Sequence, residues 1–260
     1  MLSSKIRIRG LQGIPEILSG TNLATEILRA LASAAVSATP REGRPEESDP
    51  IVIVVAQKVV SKSEGCLVRL DGIVPSARAQ VWASEYHKDP RMVEVVLQQA
   101  RRIVKMDRGI IIAETHHGYV CANAGVDASN APSGMVVLLP QDPDKSAARL
   151  RQEFEQALHR SVAVIVSDTF GRPWRKGLTN VALGVSGLSP FIDYRGQVDS
   201  YGRLLQATVL AVADELAGAA ELVMGKTTGI PAAIIEGFRY TPVEASGRDL
   251  IRPAEEDLFR

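Results

Sequence analysis

Asp168 and Thr169 follow five apolar residues, Val162 to Val166, and open the stretch Ser167-Asp168-Thr169-Phe170-Gly171-Arg172-Pro173-Trp174-Arg175-Lys176-Gly177. A buried strand is expected to end in a carboxylate and a hydroxyl, followed by a turn carrying three cations. Carboxylate and hydroxyl oxygens suit a hard divalent metal, and the cations suit the phosphates that such a metal escorts. The same residues also read as an Asp cap before a basic surface turn.

Four further segments offer matching parts. In Asn123-Ala124-Gly125-Val126-Asp127-Ala128-Ser129-Asn130, small residues allow close backbone approach to a ligand. Asp127 supplies a second carboxylate there and Asn130 a polar contact, although such a segment also makes an ordinary Asx turn. Gln57-Lys58-Val59-Val60-Ser61-Lys62-Ser63-Glu64-Gly65 follows the apolar run Ile51 to Ala56. Its lysines and serines could cradle phosphates at the carboxyl end of a strand, or form a solvated charged loop. Met224-Gly225-Lys226-Thr227-Thr228-Gly229-Ile230 imitates the end of a P-loop. Ala220 stands where the first P-loop glycine belongs, and the segment follows a predicted helix rather than a strand, so a P-loop is rejected. Gly13-Ile14-Pro15-Glu16-Ile17 is a turn with no chemistry of its own. His116 and His117 are adjacent and would face opposite ways on a strand, which makes a poor metal pair. Neither a Gly-x-Ser-x-Gly elbow nor a Cys/His pairing points to a covalent hydrolase.

The elements that must position these residues can be read from periodicity. Helices are expected over Thr21 to Ala38, Pro90 to Met106, Asp144 to Arg160 and Arg203 to Ala220. Strands are expected at Ile51 to Ala56, Ile110 to Ala113, Val136 to Leu139 and Ala232 to Ile235. Thr39 to Pro50 is a polar loop with three prolines. Helices and strands mix without steady βαβ alternation, which favours α+β over a Rossmann sheet. At 260 residues and 45% hydrophobic content the chain can bury a substantial core, as one domain over 1–260. Its formal net charge of zero gives no global attraction for nucleic acid or an anionic membrane. Two cysteines without metal-ligand spacing, and an N-terminus without an apolar signal core, lead to the expectation of a cytoplasmic protein.

Taken together and in this order, the five segments resemble the F420 gamma-glutamyl ligase (coenzyme F420-0:L-glutamate ligase) family from about Arg7 to Leu258. Tyr201-Gly202-Arg203 agrees as well. The resemblance implies a two-lobed α+β homodimer that binds GTP, Mg or Mn, and a monovalent potassium ion. Its substrates would be F420-0 and L-glutamate, with further glutamates added through gamma linkages. It makes Asp127 and Asp168 ligands of one metal and Thr169 a ligand of a second. It makes Ile14, Pro15, Glu16, Ile17, Gln57, Lys58, Lys62, Asn130, and the turn Met224, Gly225, Lys226, Thr227, Thr228, Gly229 and Ile230 contacts of GTP. Asp127, Asp168, Lys62 and Arg172 form the expected catalytic set, Arg172 as a cation for the transferring phosphoryl group. Glu64 is a candidate base for the glutamate amine. A metal-dependent phosphatase and a non-catalytic nucleotide sensor remain as rival readings of the same phosphate-binding features.

Two departures stand out. Archaeal members tend to carry an acidic residue after the Met-Gly pair, where it helps bind the second metal, and this chain has Lys226. An ammonium cannot ligate a metal, so either Lys226 replaces the charge of one metal or another carboxylate serves. The chain is also expected to be a single-domain form, without the C-terminal flavin domain of some actinobacterial relatives.

Overall fold

A computed structural model describes residues 5–36 and 49–258. The predicted polar loop therefore falls almost wholly outside the described residues. In chain order the strands are β1 (Arg7–Gly10), β2 (Ile51–Ala56), β3 (Leu67–Arg69), β4 (Ala100–Asp107), β5 (Ile110–Thr115), β6 (Val120–Ala122), β7 (Met135–Val137), β8 (Val162–Arg172), β9 (Arg175–Ser186), β10 (Ile192–Asp193), β11 (Val209–Leu210) and β12 (Ala232–Glu236). The helices are α1 (Leu23–Val36), α2 (Gln57–Ser63), α3 (Ala77–Tyr86), α4 (Pro90–Gln99), α5 (Pro143–Leu158) and α6 (Val212–Met224).

The larger lobe is a five-stranded sheet in the order β1-β12-β2-β8-β9. Only β2 and β8 pair in parallel, and the other neighbours are antiparallel. This mixture is what an α+β fold requires and what a doubly wound sheet does not show. Continuous apolar runs make β2 and β8 central, because both faces of the sheet are covered. On one face Ile53, Val55, Val164 and Val166 pack with Ile27 of α1 and Phe154 of α5. On the other, Val52, Val54, Ala163 and Ile165 pack with Leu216 and Ala220 of α6. A smaller lobe has its own core, in which Ala79 and Ala83 of α3 and Val93 and Val96 of α4 meet Ile111 and Ala113 of β5. Tyr119, Leu139 and Leu183, with Phe170 and Val181 against them, form the seam between the lobes.

Four expectations about local structure change. The strand of Val162 does not end at Val166. It runs on to Arg172 because β9 pairs with it throughout, including Asp168 with Val181 and Thr169 with Asn180. A bulge intervenes between Val166, opposite Gly184, and Ser167, opposite Ala182. The extra residue, Leu183, lies on β9, so it is β9 that is bent there, while side chains on β8 keep their alternation through Asp168 and Thr169. The Gln57–Ser63 segment is a helix rather than a loop, since burying Val60 outweighs the weak helix preference of its β-branched neighbours. The helix expected over Pro90 to Met106 stops at Gln99. Its last apolar residues continue the helical period by coincidence and instead pair as β4 with β5 across the Arg108-Gly109 turn, both residues left-handed. Finally, the helix expected from Arg203 starts at Val212, because residues 203 to 210 return along the β10–β11 ribbon.

Candidate active site

The five sequence segments meet where the lobes join. Asp168 stands on β8 of the large sheet. Asp127 comes from the small lobe, where its backbone bridges to Val137 of β7. Helix α2, leaving β2 next to β8, lies between the Asp127 turn and the N-terminal turn. Its lysines are four residues apart, so they lie one turn apart along the helix. Lys58 Nζ contacts Asp127 Oδ2 at 2.7 Å and also donates to Ser129 Oγ. Lys62, only 6% exposed, donates from Nζ to Glu16 Oε1 at 2.6 Å. The Ile14–Ile17 turn, Lys58, Lys62 and Asp127 are thus joined by direct contacts that no spacing in the sequence reveals.

The two carboxylates are differently poised. Burial tends to raise Asp127, but the Lys58 ammonium and the Ser129 donors outweigh it and hold the carboxyl below its ordinary range. The Asx turn is real as well: Asp127 Oδ1 accepts from the Ser129 amide at 2.7 Å. Asp168 is pushed up to about 6, chiefly by burial and further by the Asp127 charge, against the lowering influence of the Thr169 amide, Lys58 and Lys226. Cys121 of β6 feels Asp168 in turn. Burial first, and then that carboxylate, push its thiol up to about 12, so it is an inert wall residue rather than a nucleophile.

At Thr169, the residue after Asp168 on β8, an oxygen-lined seat holds the Lys226 ammonium. Lys226 Nζ donates to Thr169 Oγ1, lies 3.3 Å from Asn180 Oδ1 and pairs with Glu221 Oε1 at 2.9 Å. Thr169 in turn donates to Asn180 Oδ1 at 2.7 Å, and Asn180 Nδ2 donates to Glu221 Oε2 at 3.0 Å. As placed, Thr169 does not fit a second divalent ion, because its oxygen already faces a cation.

Other expected residues need a corrected role. Arg172 was expected to meet the transferring phosphoryl group. It sits four strand residues beyond Asp168, a span of about 13 Å. Its guanidinium braces the hairpin instead, donating to the Lys176 carbonyl at 2.7 Å and reaching the Gly177 carbonyl at 3.5 Å. Glu64 is a poor candidate base, since Oε1 accepts from Ser146 Oγ at 2.7 Å and from Arg149 at 2.8 Å. Ile17 and Met224 are buried core residues, which leaves only their backbone for a ligand. Gln57 is buried too, and its Nε2 is taken by Ser61 Oγ and the Leu138 carbonyl. Pro15, Glu16, Asn130, Gly225, Thr227 and Gly229 are exposed. Ile230 is half-buried, and Thr228 closes its own turn onto the Met224 carbonyl. The turn follows α6, in agreement with the rejected P-loop.

Asn180 and Glu221 are the residues that sequence reasoning missed. Asn180 lies on β9, three residues beyond the stretch that reads as a basic turn. Glu221 lies in the last turn of α6, five residues before Lys226, and that proximity was the one available signal. An apolar groove of about 420 Å³, lined by Ala77, Arg78, Val81, Trp82, Glu85 and Met106, lies on the small lobe and includes none of these residues.

The fold and site together define a class: a two-lobed α+β protein with carboxylates and lysines from separate segments gathered at its seam. The family comparison makes the class specific. Residues 12 to 237 match the model of the F420-0:gamma-glutamyl ligase family. The chain is similar to the coenzyme F420:L-glutamate ligase of Methanothermobacter thermautotrophicus, 43% identical with 98% of this chain and 99% of the relative covered. It is also similar to the proteins of the same name from Methanocaldococcus jannaschii, 47% identical over 82% of this chain and 85% of the relative, and Archaeoglobus fulgidus, 37% identical over 98% and 97%. The chain belongs to the F420-0:gamma-glutamyl ligase family. Among the described residues no helix is long and apolar enough to cross a membrane.

Proposed function

We propose that this protein joins L-glutamate to F420-0 through an amide bond, with GTP as phosphoryl donor, and then extends the product by gamma-linked glutamates. The observation that carries the reading is the meeting of Asp127, Asp168, Lys58 and Lys62 at the lobe seam of a chain in this ligase family. A carboxylate and an amine do not condense spontaneously in water, so the carboxylate needs activation. A carboxylate oxygen of F420-0 attacks the gamma phosphorus of GTP, and GDP leaves. The glutamate amine attacks the acyl carbon, phosphate leaves with the bonding pair, and the amine loses a proton.

Asp127 and Asp168 fit one Mg or Mn ion. They are oxygen donors on separate segments, and the ionised form of Asp168 is disfavoured by burial and by the Asp127 charge. Such an ion, when bound, neutralises phosphate oxygens. The remaining work falls to the chain. Lys58 keeps Asp127 ionised and oriented. Lys62 ties the Glu16 turn to α2, fixing the loop on which the nucleotide would rest. The seam withdraws Asp168 from water, which strengthens every charge interaction there. Phosphoryl transfer depends mostly on such positioning and charge neutralisation. A homodimer and a bound potassium ion complete the proposal.

The deciding experiment incubates the purified protein with F420-0, glutamate, Mg or Mn, and either GTP or ATP, and weighs the deazaflavin by mass spectrometry. Mass increments of glutamyl residues with GTP are expected. Phosphate release without glutamate and F420-0, or no glutamylated product under any combination, would overturn the reading.

A further inference from the structure

Three oxygens from three elements converge beside Asp168: Thr169 Oγ1 from β8, Asn180 Oδ1 from β9 and Glu221 Oε1 from α6. Hydroxyl, amide carbonyl and carboxylate oxygens together form a donor set for a hard cation. The cation present is the chain's own. The lysine side chain is 58% exposed, yet its ammonium is directed at all three oxygens, and Glu221 is only 22% exposed. An ordinary surface ion pair needs one partner and is worth little. This seat is more elaborate. Thr169 points its proton at Asn180, and Asn180 spends its Nδ2 on Glu221, so the remaining oxygen lone pairs face the ammonium. The hydrogen-bond polarity of the whole cluster is set for a positive guest.

We infer that Lys226 is a tethered cation that takes the place of a second divalent ion at this site, with Glu221 and Asn180 as its positioning residues. The inference rests on the proposed nucleotide and metal chemistry at Asp127 and Asp168. A tethered ammonium offers its charge without being drawn from solution, and it cannot be removed by chelation. The anionic group it serves is a phosphate of the nucleotide.

Bound Mn is counted by electron paramagnetic resonance in the presence of a non-hydrolysable GTP analogue. The full-length wild-type protein is expected to hold one Mn per chain, lost in Asp168→Asn. Lys226→Gln empties the seat and is expected to gain a second Mn, and adding Glu221→Gln to that variant should abolish the gain. A second Mn in the wild type that Thr169→Val removes would overturn the inference. So would a folded Lys226→Gln protein that gains none. If the wild type holds no Mn at all, the carboxylate-pair reading falls, while the gain in Lys226→Gln still decides this one. A merely structural ion pair would alter stability and leave the Mn count unchanged in the Lys226 and Glu221 variants.

Discussion

Replacing Asp168 by asparagine should stabilise the metal-free protein at neutral pH while destroying its activity. In the fold its carboxyl is raised from the ordinary 3.8 to about 6, first by burial and then, among other influences, by Asp127. The folded state therefore binds this proton more tightly than the unfolded chain does. The corresponding stability is complete below pH ~4 and is lost as the pH rises through about 6. Above that, the ionised group costs about 3 kcal/mol relative to a neutral one, an upper figure because water reaches part of the site. Asparagine has nearly the same shape and never ionises. Urea unfolding in chelator, from pH 4.5 to 8, should show the gap between Asp168→Asn and wild type reduced to about 1 kcal/mol at the acid end. The variant should draw ahead by up to about 3 kcal/mol above pH 7. The difference between the two curves cancels most contributions from groups that they share. Saturating Mn should narrow the gap by stabilising the wild type alone. A wild type as stable as Asp168→Asn at pH 7.5 in chelator would refute the reasoning. Greater stability with lost turnover would mark Asp168 as a group kept for chemistry at the expense of the fold.

Lys58→Met leaves Asp127 without its ammonium and removes a lowering influence on Asp168. Steady-state assays should show a fall of about a hundredfold, and near-normal rates would remove Lys58 from the site. Lys62→Met exchanges a buried ammonium for an apolar chain of similar length. Stability should move by less than about 1 kcal/mol, while the KM for nucleotide rises as the Glu16 turn loses its tether. Glu64→Gln should keep its activity within about tenfold and shift no limb of the pH profile, because its carboxylate is held by Ser146 and Arg149; a larger loss by the folded variant, beyond the scale of general-base removal, would restore it as the base. Gly184→Ala should misfold or lose about 3 kcal/mol or more, because its Cβ would lie 2.1 Å from the Pro143 carbonyl oxygen at the start of α5. Thermal unfolding checks this last expectation.

Much of the outline was legible along the chain. Unbroken apolar runs marked β2, the start of β8 and β12 as buried strands, because a strand covered on both faces has no polar side to alternate with. Asp127, Asp168 and Lys58 each offered a functional reading beside an ordinary structural one, and the order of the segments favoured the functional reading. Their family resemblance was carried by the order of short segments. Other features depend on contacts over long sequence distances. Local pattern cannot show that β9 keeps β8 extended past Val166, or that residues 100–107 pair with β5 instead of prolonging α4. A strand's existence is settled by its partner's backbone, and the partner is remote or ambiguous in sequence.

The same holds within the site. The sequence by itself supplied the reactive groups, the family and the unusual lysine after Met224-Gly225. Tertiary structure decided their alliances: Lys58 with Asp127, Lys62 with Glu16, and Lys226 with Thr169, Asn180 and Glu221. It also gave Arg172 and Glu64 partners of their own, the Lys176 carbonyl for one and Ser146 with Arg149 for the other. The physical reason is common to all of these. A side chain's type states what it can bind, whereas its charge state and availability depend on burial and neighbours, and those exist only once the two lobes have closed around Asp168.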